Sequence, residues 1–271
     1  MDRLPHLITP TALNTALGAE SKLLVIDLGN ADRYPQQHIP GAVWLDYAEI
    51  TRSDAPAAGL VATEENLSRV FSALGLTADT HVVAYDDAGN GKAARLCYTL
   101  DCIGHPHWSL LDGGLPAWLA DGFATSDEVA EPAATDYQAQ YADGVMWTAD
   151  DILQQLHQDD FVTLDARSAA EYQGLEIKAT HGGHIPGAAH YEWTNAMDNA
   201  QQKRLRDVDT LRAELEAAGI TPDKQIVAYC QTHHRSAYSY VMLKYMGYPR
   251  VAGYPGAWSD WGNTETLPVE V

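Results

Sequence analysis

The side chains best suited to chemistry in this chain lie together in VAYCQTHHRSA, Val227–Ala237, where a cysteine is followed by two adjacent histidines and an arginine. Cys230 is one of three cysteines in 271 residues. These residue types at this spacing admit three chemistries: a metal site, an activated thiolate nucleophile, or a core cysteine that precedes a polar turn. A metal needs three or four ligands in workable geometry. Cys230, His233 and His234 supply a set, but adjacent histidines rarely face one ion in a tight turn. The other cysteines, Cys97 and Cys102, lie far off in a helical LCYTLDC run that suits ordinary core thiols. Cys230 instead ends a strand and precedes six polar residues, so it is expected to be accessible and to react as a nucleophile.

The surroundings favour the anion. Gln231, Thr232, His233, His234, Arg235 and Ser236 include no acid. They join the carboxyl end of an apolar strand to a helix, the edge of an open α/β sheet where ligands bind. Consecutive backbone N–H groups curling into a helix start form an anion nest. With Arg235 close by, such a nest lowers a cysteine pKa from about 8.5 to roughly 3.5–7.5. Arg235 either points into the bowl or braces the loop from outside. His233 and His234 either add charge below about pH 6.5 or serve as exposed hydrogen-bonding loop residues.

The elements that position this loop are written twice. GLTADTHVVAYDD (Gly75–Asp87) resembles GITPDKQIVAYCQ (Gly219–Gln231), HIPGA occurs at His38–Ala42 and His184–Ala188, and DGGLPAWLADG from Asp112 parallels AGYPGAWSDWG from Ala252. The pieces keep their order, so one ancestral unit is duplicated, and the long period makes each copy a domain. Each copy alternates short apolar strands with helices. Thr9 and Thr148 are expected helix caps, Leu67, Val70, Phe71 and Leu74 share one helix face, and Gly75 and Gly219 end helices. This is an α/β pattern with a mainly parallel sheet covered on both faces. We expect a first domain over 1–124, a linker over 125–143 that is rich in Ala, Asp, Glu and Thr, and a second domain over 144–271.

The duplication acts as an internal control. Features in both copies serve folding. His38 and His184 therefore read as satisfied turn histidines, and Asp27 and Asp165 as strand-end carboxylates that accept backbone N–H bonds. Arg167 is expected either to form a structural ion pair or to support an anion site. The decisive difference falls after the VAY strands, where one copy has Asp86 and the other Cys230. Gly89, Gly91 and Lys92 faintly suggest a phosphate loop, but the spacing is wrong and two acids, Asp86 and Asp87, oppose phosphate. The first loop reads as an inert counterpart.

Composition narrows the classes further. The net charge of −20 opposes binding to nucleic acid or an anionic membrane. The longest apolar runs are too short to span a membrane, and MDRLPHLITP lacks the apolar core of a signal peptide. An odd, low cysteine count gives no disulfide framework. A cytoplasmic monomer is expected.

Taken together, the paired HIPGA turns, the DAR at Asp165–Arg167, the Gly256–Trp258 ending and the Cys230 loop resemble the tandem-domain rhodaneses, thiosulfate:cyanide sulfurtransferases. The similarity covers nearly the whole chain, and CQTHHRS looks most like a bacterial member. It implies two rhodanese-like domains, the first catalytically silent, and catalysis by Cys230 through a persulfide without a cofactor. The loop residues Gln231 to Ser236 would bind the anion and Asp165 and Arg167 would support them. Implied partners are a small anionic sulfur donor, cyanide or a thiol as acceptor, and a possible acceptor protein. Cysteine phosphatases use a loop one residue longer between Cys and Arg; four residues separate Cys230 from Arg235 here, a tighter bowl suited to sulfur. Some relatives have an anion-binding arginine where Glu171 stands. A persulfide carrier, a 3-mercaptopyruvate sulfurtransferase and a cysteine phosphatase or arsenate reductase remain alternative readings.

Overall fold

The computed structural model describes residues 4–19 and 22–271; residues 1–3, 20 and 21 of the expected first domain lie outside them. The first copy runs β1 (Leu7–Ile8), α1 (Pro10–Leu17), β2 (Leu23–Asp27), β3 (Val43–Trp44), a hairpin of β4 (Thr51–Asp54) and β5 (Ala57–Val61), α2 (Glu64–Ala73), β6 (His81–Tyr85), α3 (Gly91–Cys102), β7 (Trp108–Leu111) and α4 (Gly114–Ala120). The second runs α5 (Ala149–Gln155), β8 (Phe161–Asp165), α6 (Ala169–Tyr172), β9 (Ala189–His190), a hairpin of β10 (Met197–Asp198) and β11 (Arg204–Leu205), α7 (Val208–Ala217), β12 (Gln225–Tyr229), α8 (Arg235–Tyr245), β13 (Val251–Gly253) and α9 (Ala257–Trp261).

Local chemistry starts these helices where the sequence places them. Thr9 accepts the N–H of Ala12, and Thr148 forms a full capping box with Asp151. On α2, Leu67, Val70 and Phe71 are buried and Leu74 is half-buried, as the helical period requires. The strands pair in parallel in the orders β1-β7-β6-β2-β3 and β13-β12-β8-β9. Strand β8 is buried at all five positions, because helices cover both faces of such a sheet. The register sets Asp27 opposite Tyr85 and Asp165 opposite Tyr229. Each tyrosine hydroxyl accepts an N–H from its HIPGA turn, Ile39 at 3.1 Å and Ile185 at 3.2 Å.

The chain forms two compact units. Unit 1 holds the described residues up to 51 with 62–142 and 198–205; unit 2 holds 52–61, 143–197 and 206–271. This grouping departs in two ways from a division at 124 and 144. The two hairpin segments each group with the other copy's residues. The expected linker is largely part of unit 1. There Ser126 exchanges backbone hydrogen bonds with His38, Thr135 N–H donates to the Ser72 carbonyl and Ala142 N–H to the Cys102 carbonyl. A polar, sheet-free segment looks like a tether in sequence, yet its backbone groups find partners on the unit's surface.

In unit 1 the loop after β6 is closed by its own side chain. Asp86 Oδ1 accepts N–H bonds from Ala88 (2.9 Å) and Asn90 (2.8 Å), and Oδ2 from Lys92 (3.0 Å) and Ala93 (3.2 Å). Gly114 allows the chain to approach: its φ is +59°, and a Cβ there would lie 2.4 Å from the Asp86 carbonyl oxygen. Gly114→Ala is therefore expected to destabilise unit 1 by more than about 1 kcal/mol, read as a lowered urea midpoint in the unfolding of the full chain.

Candidate functional site

Cys230 is the first residue beyond β12. Its loop is held by backbone bonds before any side chain acts. The Cys230 carbonyl accepts the N–H of Trp258 at 2.9 Å, and the Gln231 carbonyl that of Ser259 at 3.0 Å. The Gly256–Trp258 ending, a repeat marker in the sequence, is thus the support beneath the loop. The hairpin strand β5 lies against the other side. A Cβ on Gly59 would come within 2.2 Å of the Thr232 carbonyl oxygen, and Ala58 N–H donates to Ser259 Oγ at 3.0 Å. No sequence motif announced that contact; a glycine inside a strand was the one available sign of a close backbone approach.

The loop overturns the expectation that Cys230 is accessible. Its relative exposure is 1%. Of the polar residues after it, His233 and Ser236 are themselves buried. Burial by itself pushes the thiol up. The Arg235 charge, the Ser236 hydroxyl and the N–H groups of Ser236 and Thr232 outweigh it and hold Cys230 below the usual thiol range. Burial takes the other two cysteines in the opposite direction, since both Cys97 and Cys102 are fully buried and raised.

Arg235 braces the loop from outside: it grips Glu171 bidentately, Nη1 to Oε2 at 2.6 Å and Nη2 to Oε1 at 2.8 Å, while its charge acts on the Cys230 thiol. Glu171 also accepts from the N–H and hydroxyl of Ser168, at 3.1 and 3.0 Å, in the capping box of α6. Lys178 Nζ lies 3.5 Å from it. Its side chain is 1% exposed. Although burial opposes ionisation, Arg235 and Ser168 bring its carboxyl down to about 2. As the partner of Arg235, Glu171 escaped sequence reasoning, although SAAE at Ser168–Glu171 is a capping-box signature.

The remaining loop residues differ in their surroundings. Gln231 donates to the Lys178 carbonyl at 3.2 Å, and Thr232 is half-buried. His233 is fully buried, and its Nδ1 lies 2.8 Å from Ser236 Oγ. His234 is half-buried with its ring centroid 6.2 Å from that of Trp193. Neither histidine is an exposed loop residue. Among the described residues no group of three or more His, Cys, Asp or Glu side chains is arranged to hold a metal ion.

Asp165 and Arg167 lie behind the loop as a buried ion pair, Nη2 to Oδ2 at 2.6 Å. Arg167 also donates to the Gly183 carbonyl at 2.7 Å, and its guanidinium sits 4.4 Å from the Trp258 ring centroid. Asp165 accepts the Tyr229 hydroxyl at 2.7 Å and the Arg167 N–H at 3.0 Å. Of the two roles left open for Arg167, the structural pair is the one these contacts describe. The turn histidines are satisfied as expected: His38 Nδ1 donates to the Tyr34 carbonyl at 2.6 Å, and His184 Nδ1 to that of Tyr172 at 2.9 Å.

The site can therefore hold a small anion on sulfur in a bowl of N–H donors. The Asp86 loop has the same plan, but there a carboxylate fills the bowl from within.

Comparison with known proteins agrees with this geometry. A model of the rhodanese-like domain matches residues 9–121 and again 148–264. Over 268 residues the chain is 42% identical to a thiosulfate sulfurtransferase of Pseudomonas aeruginosa, covering 99% of this chain and 98% of the relative. It is 32% identical over 249 residues to the sulfur carrier protein TtuD of Thermus thermophilus, covering 87% and 86%. It is 29% identical over 247 residues to a 3-mercaptopyruvate sulfurtransferase of Escherichia coli, covering 90% and 87%.

The Glu171–Arg235 pair has a signature in acid. Its carboxyl is depressed from 4.5 to about 2, so its stabilisation is complete above pH 4.5 and is lost as pH falls towards 2. Glu171→Gln should weaken unit 2 by about 2 kcal/mol at neutral pH and flatten stability against pH between those values. Urea midpoints measured across that range check this.

Proposed function

The chain belongs to the rhodanese-like family, and from that premise we propose that it is a sulfurtransferase that moves sulfane sulfur from thiosulfate through a Cys230 persulfide to a thiophilic acceptor. The observation that carries this reading is the placement of Cys230 at the end of β12, where its thiol is 1% exposed and, against burial, is held below the usual thiol range by the Arg235 charge and by Ser236 and Thr232. The high identity to a thiosulfate sulfurtransferase supports thiosulfate as donor.

The transfer is a two-step exchange. The Cys230 thiolate attacks the outer sulfur of thiosulfate; the new S–S bond forms as the old one breaks, and its electron pair leaves on sulfite. The persulfide carries the negative charge on its outer sulfur, where the loop N–H groups and Arg235 stabilise it as an oxyanion hole would. Cyanide, or a thiolate, then attacks that outer sulfur and the pair returns to Cys230. Cyanide becomes thiocyanate. No cofactor takes part, because the sulfur is carried on the enzyme. Glu171 neutralises part of the Arg235 charge, which suits a bowl that must release sulfite as well as hold a persulfide.

A second reading has its own support. The similarity to a protein named as a sulfur carrier favours delivery to an acceptor protein from the same persulfide. Either activity fits the cytoplasm as the compartment, where the unpaired thiols of Cys97, Cys102 and Cys230 stay reduced.

Thiosulfate should add one sulfur, roughly 32 Da, to the wild-type chain at Cys230; Cys230→Ala should gain no mass and transfer no sulfur to cyanide. Activity retained in that variant would remove Cys230 from the mechanism. With cyanide as acceptor, kcat/KM should be larger for thiosulfate than for 3-mercaptopyruvate. The reverse order would reassign the donor.

A further inference from the structure

His233 is a costly residue to place where it stands. Its φ is +53°, a conformation uncommon outside glycine, and the Asp86 loop has Gly89 at the equivalent position with φ +108°. The side chain is fully buried beside a fully buried Ser236. Strain of this kind persists where the surrounding structure uses it.

The hydrogen count at Ser236 shows that use. Its hydroxyl is one of the groups that, against burial, hold the Cys230 thiol down, and it lies 2.8 Å from His233 Nδ1. A hydroxyl has one hydrogen and can accept at its oxygen. An anionic sulfur, as in the Cys230 thiolate, can only accept. The serine hydrogen must then point at sulfur, leaving Oγ to accept from His233, so Nδ1 carries a hydrogen. A serine without such a neighbour is free to turn its hydrogen to a backbone carbonyl.

We propose that His233 is a positioning residue: its Nδ1–H fixes the Ser236 hydroxyl so that the O–H donates to the anionic sulfur on Cys230. The imidazole acts through Ser236 and leaves the Arg235 charge and its Glu171 ion pair in place. No net proton leaves His233; the chain of donors is set before the sulfur anion forms, which is what makes it effective.

Difference titration of thiolate ultraviolet absorbance, with Cys230→Ala as blank, tests this. It reads the sulfur anion directly, so a wild type without sulfurtransferase activity would sink the functional reading and leave this one standing. Ser236→Ala should cut the thiolate fraction below the titration midpoint by about tenfold, as loss of one charge-assisted hydrogen bond does. His233→Gly, which relieves the positive φ, should cut it by about threefold through loss of preorganisation. In the double variant the His233→Gly effect should vanish. His233→Asn keeps a donor near the Nδ1 position and tolerates positive φ, and should titrate close to wild type. An unchanged titration in His233→Gly would overturn the proposal. So would an effect that adds in full to Ser236→Ala, or an Asn variant that shifts as far as Gly.

Discussion

Lowering the pKa of a thiol that water hardly reaches is the constraint that organises the site in unit 2. Desolvation favours the neutral thiol, and Cys230 is 1% exposed. The opposing donors come from the loop itself and from Arg235. Arg235 in turn is fixed by the buried carboxylate of Glu171, which the cap of α6 and Lys178 also hold. The alternation of charge, sulfur to guanidinium to carboxylate, lets a strongly acidic chain present a locally anion-accepting bowl. Net charge describes the far field; the site depends on a few short-range contacts such as the Arg235–Glu171 pair.

The scaffold beneath supplies rigidity through the backbone. Parallel pairing of β12 with β8 and β13 ends the strands at one edge, and N–H groups of α9 bind the carbonyls of Cys230 and Gln231. Gly59 brings β5 against Thr232 with no side chain between them. Such a loop has little freedom to relax when the charge on sulfur appears, so its dipoles need little reorganisation during the reaction. The buried Asp165–Arg167 pair and Trp258 fill the space behind it.

The Asp86 loop shows what becomes of the same frame when the anion is built in. The carboxylate takes four N–H bonds, two from its own loop and two from the first turn of α3, and satisfies donors that would otherwise be available to a ligand. A carboxylate and a sulfur anion are thus alternative fillings of one backbone design. The retained strand, tyrosine and HIPGA turn in both copies reflect the folding requirement. On the proposed function, the change from Asp86 to Cys230 converts an internally closed nest into a chemical site.

Much of this was legible in the sequence because it is local or periodic. The duplication, the strand–loop–helix setting of Cys230, the helix caps at Thr9 and Thr148 and the core cysteines all follow from patterns within a few residues. So did the contrast between Asp86 and Cys230. Tertiary structure alone decided the rest. The burial of Cys230, the Arg235–Glu171 clasp, the approach of Gly59 and the grouping of 125–142 with unit 1 depend on residues distant in the chain whose pairing no local period encodes. The orientation of Arg235 and the inward position of His233 likewise depend on which backbone groups surround the loop, and those are chosen by the packing of α6, α9 and β5. Sequence by itself determined which atoms could react; the folded chain decided how far they are removed from water and which charges face them, because desolvation and hydrogen-bond direction are properties of the assembled surroundings.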